Sequence, residues 1–135
     1  MTREEIQAVA MALPAATHVV QWGGSDVYKV GGKVFAVVGI ANGLAFKVSE
    51  IGFVVLTDEG GPGRQAPYFA KGHWVIVDID GTDIEDAAGW IATSHSLIAA
   101  KLTQRQLVEL GLERVVPKRP KSRGRIADFG TKSES

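Results

Sequence analysis

The sequence predicts a single α+β domain, an antiparallel meander sheet packed against an N-terminal helix and a C-terminal helical pair. Three observations lead there. Short β-branched runs between residues 19 and 80 are separated by glycine or Asn-Gly turns, the pattern of consecutive antiparallel strands. Apolar residues recur at helical spacing near the start of the chain and again beyond residue 82. The 135 residues, 45% of them hydrophobic, are enough to build one core without a disulfide or a metal.

The elements follow in order. Thr2 and Glu5 have capping-box spacing, and Ile6, Val9, Ala10 and Leu13 form one apolar stripe. Pro14 ends this first helix, because its ring cannot continue the helical ladder. Val19 to Trp22 and Val27 to Val30 read as the first two strands. Gly31-Gly32 then turns the chain into Lys33 to Ile40, whose Val and Phe residues on both faces mark a central strand. Asn42-Gly43 is the next hairpin signal, and Leu44 to Val48 returns.

Ser49-Glu50 can start a short helix through Leu56, whereas Thr57 to Pro67, with three glycines and two prolines, reads as a loop. Trp74 to Asp80 is a further strand, closed by Asp80-Gly81. Thr82 to Leu102 is the longest helical segment, with Ile84, Ala88, Ile91, His95, Ile98 and Leu102 on one stripe and acidic residues at its positive end. Thr103 caps a last helix that Gly111 stops near Leu110. The folded domain is expected over residues 1–112. Residues 113–135, rich in Pro, Lys, Arg, Ser and Gly, are expected to form a disordered basic tail.

Composition bounds the function. The absence of cysteine excludes thiol catalysis, disulfides and thiolate metal sites. No basic start leads into an apolar run, so no secretory signal is expected. The strongly apolar stretch Val34 to Phe46 is interrupted by Gly39, Asn42 and Gly43 and falls short of the roughly 20 residues that span a bilayer. A cytoplasmic protein with no membrane partner is the expectation. Net charge is zero, but residues 111–135 hold seven Lys/Arg against three Asp/Glu, while the first 110 hold eight against twelve. Attraction to phosphate must therefore come from a local patch or from the tail.

Several segments, taken in order, carry a family resemblance. They are the short helix ending in Leu13-Pro14, the run Val27-Tyr28-Lys29-Val30-Gly31-Gly32-Lys33-Val34-Phe35-Ala36, and Leu44-Ala45-Phe46-Lys47. Ala66-Pro67-Tyr68, Lys71-Gly72-His73-Trp74-Val75, Asp78 and Gly81 follow, and then Ser94-His95-Ser96-Leu97-Ile98-Ala99-Ala100-Lys101-Leu102. Together they resemble the MmcQ/YjbR family over roughly residues 1–110. The resemblance implies a CyaY/frataxin-like or "double-wing" fold and a non-enzymatic DNA-binding function. The chain departs from the family at Ala15-Ala16, where a Gly commonly follows the proline, and at His95, where a Tyr is usual.

Candidate contact residues can then be weighed. Lys71, His73 and Trp74, at a loop-to-strand junction, have the chemistry to touch phosphate and stack on a base. The competing reading puts Trp74 in the core, where an indole's large apolar area usually takes it. Lys29, Lys33 and Lys47 on neighbouring strands, with Arg64 in the adjoining loop, form a positive stripe if they share a face; strand lysines also guard sheets against aggregation. His95, on an apolar stripe, reads as a half-buried histidine whose hydrogen bonding is satisfied.

Asp78, Asp80, Asp83, Glu85 and Asp86 suit helix capping, and by the frataxin analogy metal binding. No catalytic constellation, metal site or cofactor motif emerges, and a monomer is the expected state. Two rivals to DNA binding remain. One is a small-molecule or protein interaction module near Tyr68 and Trp74, and the other is a metal-binding frataxin-like protein.

Overall fold

A computed structural model describes residues 1–67 and 73–112. Helix α1 (Arg3–Met11) begins at Thr2, whose side chain accepts from the Glu5 N–H while the Glu5 carboxylate accepts from the Thr2 N–H. Strands β1 (Ala16–Gln21), β2 (Ser25–Val30), β3 (Lys33–Val38) and β4 (Gly43–Lys47) follow as an antiparallel meander. Helix α2 (Glu50–Thr57) leads to β5 (Gly63–Gln65) and β6 (Trp74–Asp78), and α3 (Ile84–Ala99) and α4 (Gln104–Glu109) complete the described chain.

The sheet order is β1-β2-β3-β4-β6-β5, so the meander holds for four strands and β6 then inserts between β4 and β5. Strand β5 lies inside the segment that the sequence reads as a loop. Gly63-Arg64-Gln65 shows no apolar alternation, because an edge strand can be held by its backbone alone. A Cβ on Gly63 would overlap Val75, which explains the glycine at this close approach. The third strand stops at Val38 rather than Ile40, where Gly39 turns into the left-handed region at φ 122°. It is central, as its two-sided apolar pattern predicts.

The pairing aligns rows of side chains across all six strands. His18, Tyr28, Ala36, Phe46, Val75 and Gln65 form one row, and Phe46 stacks on Trp90 of α3 with ring centres 5.5 Å apart. This row therefore faces the helices. Its neighbour, Val19, Val27, Val37, Ala45, Ile76 and Arg64, points to the other face. A bulge in β3 opposite Tyr28 and Lys29 leaves Phe35 unpaired with β2, and Phe35 meets the edge of the His95 ring at 5.1 Å.

Strands β3 and β4 pair over only three residues each, Ala36–Val38 with Leu44–Phe46. At the next level the ladder passes through a side chain. The buried Ser94 hydroxyl donates to the Phe35 carbonyl at 2.6 Å and accepts from the Lys47 N–H at 2.9 Å. One serine of α3 thus satisfies two backbone groups where the two halves of the sheet part. His95, 2% exposed, sits one residue on, its Nε2 2.8 Å from the Pro14 carbonyl. That bond fixes the α1–β1 connection to α3; the histidine is hydrogen-bonded as expected but fully rather than half buried.

No described helix is long and apolar enough to cross a membrane. The basic tail lies outside the described residues.

Candidate nucleic-acid interface

The strand register gives the sheet two chemically distinct ends. At the end that carries the β2–β3 turn, Lys29 lies opposite Thr17 and Val34, Lys33 opposite Val30, and Lys47 opposite Trp74. Lys29 and Lys47 have the parity of Val27 and Ala45, so they share the face opposite the one that meets Trp90 of α3, whereas Lys33 has the other parity. The predicted stripe is therefore split between two faces but held at one end. Gly31 turns this hairpin at φ 58°, and a Cβ there would press on Leu102 at 2.7 Å, so the turn packs against the chain just after α3.

That packing brings in Lys101, a cation the sequence reading passed over. Burial lowers the Lys47 ammonium below its ordinary 10.5, and the nearby Lys101 charge lowers it further. Two lysines from separate elements thus lie near enough at the lysine end for the Lys101 charge to be felt at Lys47. The signal in the sequence was faint: a lone cation just past a long helix, where the helix's negative end favours it. Among the described residues, Lys29, Lys33, Lys47 and Lys101 have no carboxylate partner, since the ion pairs there involve Arg3, His18, Arg64 and Arg105.

The other predicted residues sit differently. Arg64 does share the Lys29 and Lys47 face, but it lies midway along the sheet and is engaged by Asp78 at 3.2 Å. Trp74 is 8% exposed, so its ring belongs to the core in this conformation and offers no open stacking face. His73 is half-buried. Its carbonyl accepts from the Val48 N–H at 2.8 Å, and its ring leans on Phe53 of α2 at 5.5 Å, so it anchors the start of α2. Lys71, like Tyr68, lies outside the described residues.

The opposite end is acidic. Asp26, Asp78, Asp80, Asp83, Glu85 and Asp86 gather around the β1–β2 turn, the end of β6 and the start of α3. Burial alone would raise the Asp26 carboxyl, but hydrogen bonds from His18 and Arg3, and their charges, outweigh it and hold the group below 3.8. His18 Nε2 lies 2.8 Å from one Asp26 oxygen, and Arg3 holds the other through two nitrogens at 3.0 and 2.7 Å. Asp83 caps α3 by accepting from the Glu85 N–H, the helix-capping role expected for this cluster. Among the described residues, no group of three His, Cys, Asp or Glu side chains is placed to hold a metal.

An open apolar cleft of about 270 Å³ lies between α2 and α3, lined by Val48, Gly52, Val55, Leu56, Trp90 and Thr93. Its Val48 N–H donates to the His73 carbonyl, so the cleft adjoins the strand start that Trp74 opens, although Trp74 does not line it.

The comparisons with known proteins agree with this architecture. The crystal structure of the Deinococcus radiodurans protein DR2400, which carries a DUF419 domain, is similar with a TM-score of 0.73 at 24% identity, over 82% of this chain and 88% of that one. At that identity the likeness shows the fold. No curated protein sequence matches significantly. The family model named YjbR matches residues 11–97, from the end of α1 to within α3, which is more than half of the chain. The chain belongs to the YjbR family.

Proposed function

We propose that this chain is a non-enzymatic DNA-binding protein that holds the phosphate backbone at the lysine end of its sheet. The observation that supports the reading best is the nearness of Lys47 on β4 to Lys101 just after α3, with Lys29 and Lys33 on the adjoining hairpin. Like charges held together without a carboxylate partner among the described residues are unfavourable in the free protein. A phosphate supplies the missing counter-charge, and released counterions supply the driving force. Among the described residues, the lysine end has no open aromatic platform and no element shaped to enter a groove, so it fits contact with backbone rather than reading of bases.

The test is fluorescence anisotropy of labelled duplex and single-stranded oligonucleotides across a salt series. Log affinity should fall linearly with log salt, with a slope of about −0.9 for each duplex phosphate neutralised. The Lys47→Gln/Lys101→Gln double variant should make that slope shallower by about two such contacts. Absence of binding to either oligonucleotide at low salt refutes the proposal, as does an unchanged slope in the double variant.

A further inference from the structure

The two edges of the sheet are built in opposite ways. Edge strand β5 is three residues long, carries Arg64 and is flanked by Pro62 and Pro67, all features that discourage another strand from pairing. Edge strand β1 has none of these guards. It runs for six residues in unbroken register with β2 and contains no proline or bulge. No Lys, Arg, Asp or Glu occurs from Ala15 to Gly24. Its side chains are also left open: Val19 is 38% exposed and Val20 63%, on opposite faces, and Trp22 at the turn is 57% exposed. Trp22 sits in the left-handed region at φ 53°, costly for an aromatic residue, and the turn continues through Gly23 and Gly24 at positive φ. A strained, open indole beside an unguarded strand edge is poorly explained by the monomer alone.

We propose that β1 is a self-association edge, where a second copy of this chain adds its own β1 in antiparallel pairing. Charge complementarity selects the second copy as the occupant. Antiparallel pairing about a two-fold axis lays the start of one β1 beside the end of the other. It therefore sets the lysine end of each copy next to the acidic end of its neighbour, while the neutral strands themselves place no like charges opposite one another. The same pairing satisfies both unguarded edges at once and covers Val19, Val20 and Trp22. The guarded β5 edge stops further growth, so the product is a closed dimer. One strand pair lies at the small end of interfaces, below about 1,200 Å² in total, so the dimer is weak and concentration-dependent.

Sedimentation equilibrium from micromolar to near-millimolar protein tests this. The unmodified chain should show a reversible monomer–dimer equilibrium. Val20→Lys, which puts like charges near the two-fold axis, should abolish it, while Val55→Lys on the exposed face of α2 should leave it intact. Far-ultraviolet circular dichroism checks folding, and Thr17→Lys on β1 takes the place of Val20→Lys should that variant not fold. Hydrogen exchange should show β1 amides gaining protection with concentration. A monomer at every concentration overturns the proposal. So do an open-ended oligomer, a dimer that survives the β1 variant, and one dissolved by Val55→Lys.

Discussion

Ser94→Ala is the substitution on which the split sheet depends most directly. The side chain is fully buried, and its hydroxyl connects the Phe35 carbonyl at 2.6 Å to the Lys47 N–H at 2.9 Å. Alanine removes both bonds but cannot draw β3 and β4 together, because α3 still stands at the point where they part. Each orphaned buried group costs about 1–3 kcal/mol. Phe35 is fully buried and bears the full cost, whereas the half-buried Lys47 recovers part of its own from water. The expected loss is therefore about 2–4 kcal/mol. For a domain of this size that corresponds to a fall in Tm of roughly 8–16 °C.

Urea unfolding followed by circular dichroism is the assay. The midpoint should drop with an unchanged m-value, since the surface exposed on unfolding is the same. Ser96→Ala, two residues on and exposed, provides the reference and should stay within about 0.5 kcal/mol. A loss below about 1 kcal/mol in Ser94→Ala would refute the reasoning, because the strands would then be closing the gap themselves.

Tyr28 should titrate late: burial, and then the Asp26 charge, push its phenol up to about 12, with Arg3 opposing. Since that folded value lies above 10.0, the contribution to stability is complete below pH 10.0 and is lost as pH rises through about 12, which near-ultraviolet absorbance and unfolding across alkaline pH will show. The Tyr28 hydroxyl has no hydrogen-bond partner among the described residues, so Tyr28→Phe should cost less than about 1 kcal/mol in urea unfolding, and a loss above about 2 would reveal a missing partner. Asp26 has the opposite sign. Its folded value lies below 3.8, so its contribution is present above pH 3.8 and is lost as pH falls through the folded value; Asp26→Asn should flatten stability over that acid range, and an unchanged acid limb would contradict the Arg3–Asp26–His18 geometry.

How far the sequence revealed this molecule depended on the kind of interaction involved. Helix starts at Thr2, Ser49, Asp83 and Thr103 were legible or nearly so, because caps act within one turn. The central strand was legible because burial on both faces leaves an unbroken apolar run. Strand β5 was hidden, since nothing in Gly63-Arg64-Gln65 marks a residue that pairs by backbone alone. Ser94 was equally hidden. A serine on a helix stripe looks like a polar interruption until its two long-range partners, 59 and 47 residues away, are known. At the candidate interface, Lys29, Lys33 and Lys47 could be picked out as strand lysines. Their shared end, the Arg64–Asp78 pair and the arrival of Lys101 all follow from register and from helix docking, which local sequence does not encode.

The charge layout joins the two proposals and also separates them. Net charge is zero, so the chain as a whole neither attracts nor repels DNA; among the described residues, the polarity of the sheet, lysines at one end and carboxylates at the other, can orient it. That polarity argues against nucleic acid at Trp22, the exposed tryptophan. It lies at the Asp26 end, where phosphate meets carboxylates before it meets an indole. The tryptophan chemistry a nucleic-acid reading seeks at Trp74 is buried there, and the open indole lies at the wrong pole for it. Trp22 is thus better matched to a protein surface.

The dimer and the phosphate site also respond differently to salt. Strand pairing buries apolar side chains and backbone groups, which salt screens little, so that salt weakens the dimer only through the charges at its two ends. Phosphate contacts instead weaken steeply with salt, the Debye length being about 8–10 Å. Val20→Lys should then dissolve the dimer while adding no cation at the lysine end. The salt slope for DNA in that variant should match the unmodified chain, and a slope that fell with the loss of the dimer would mean that one interface had been mistaken for two.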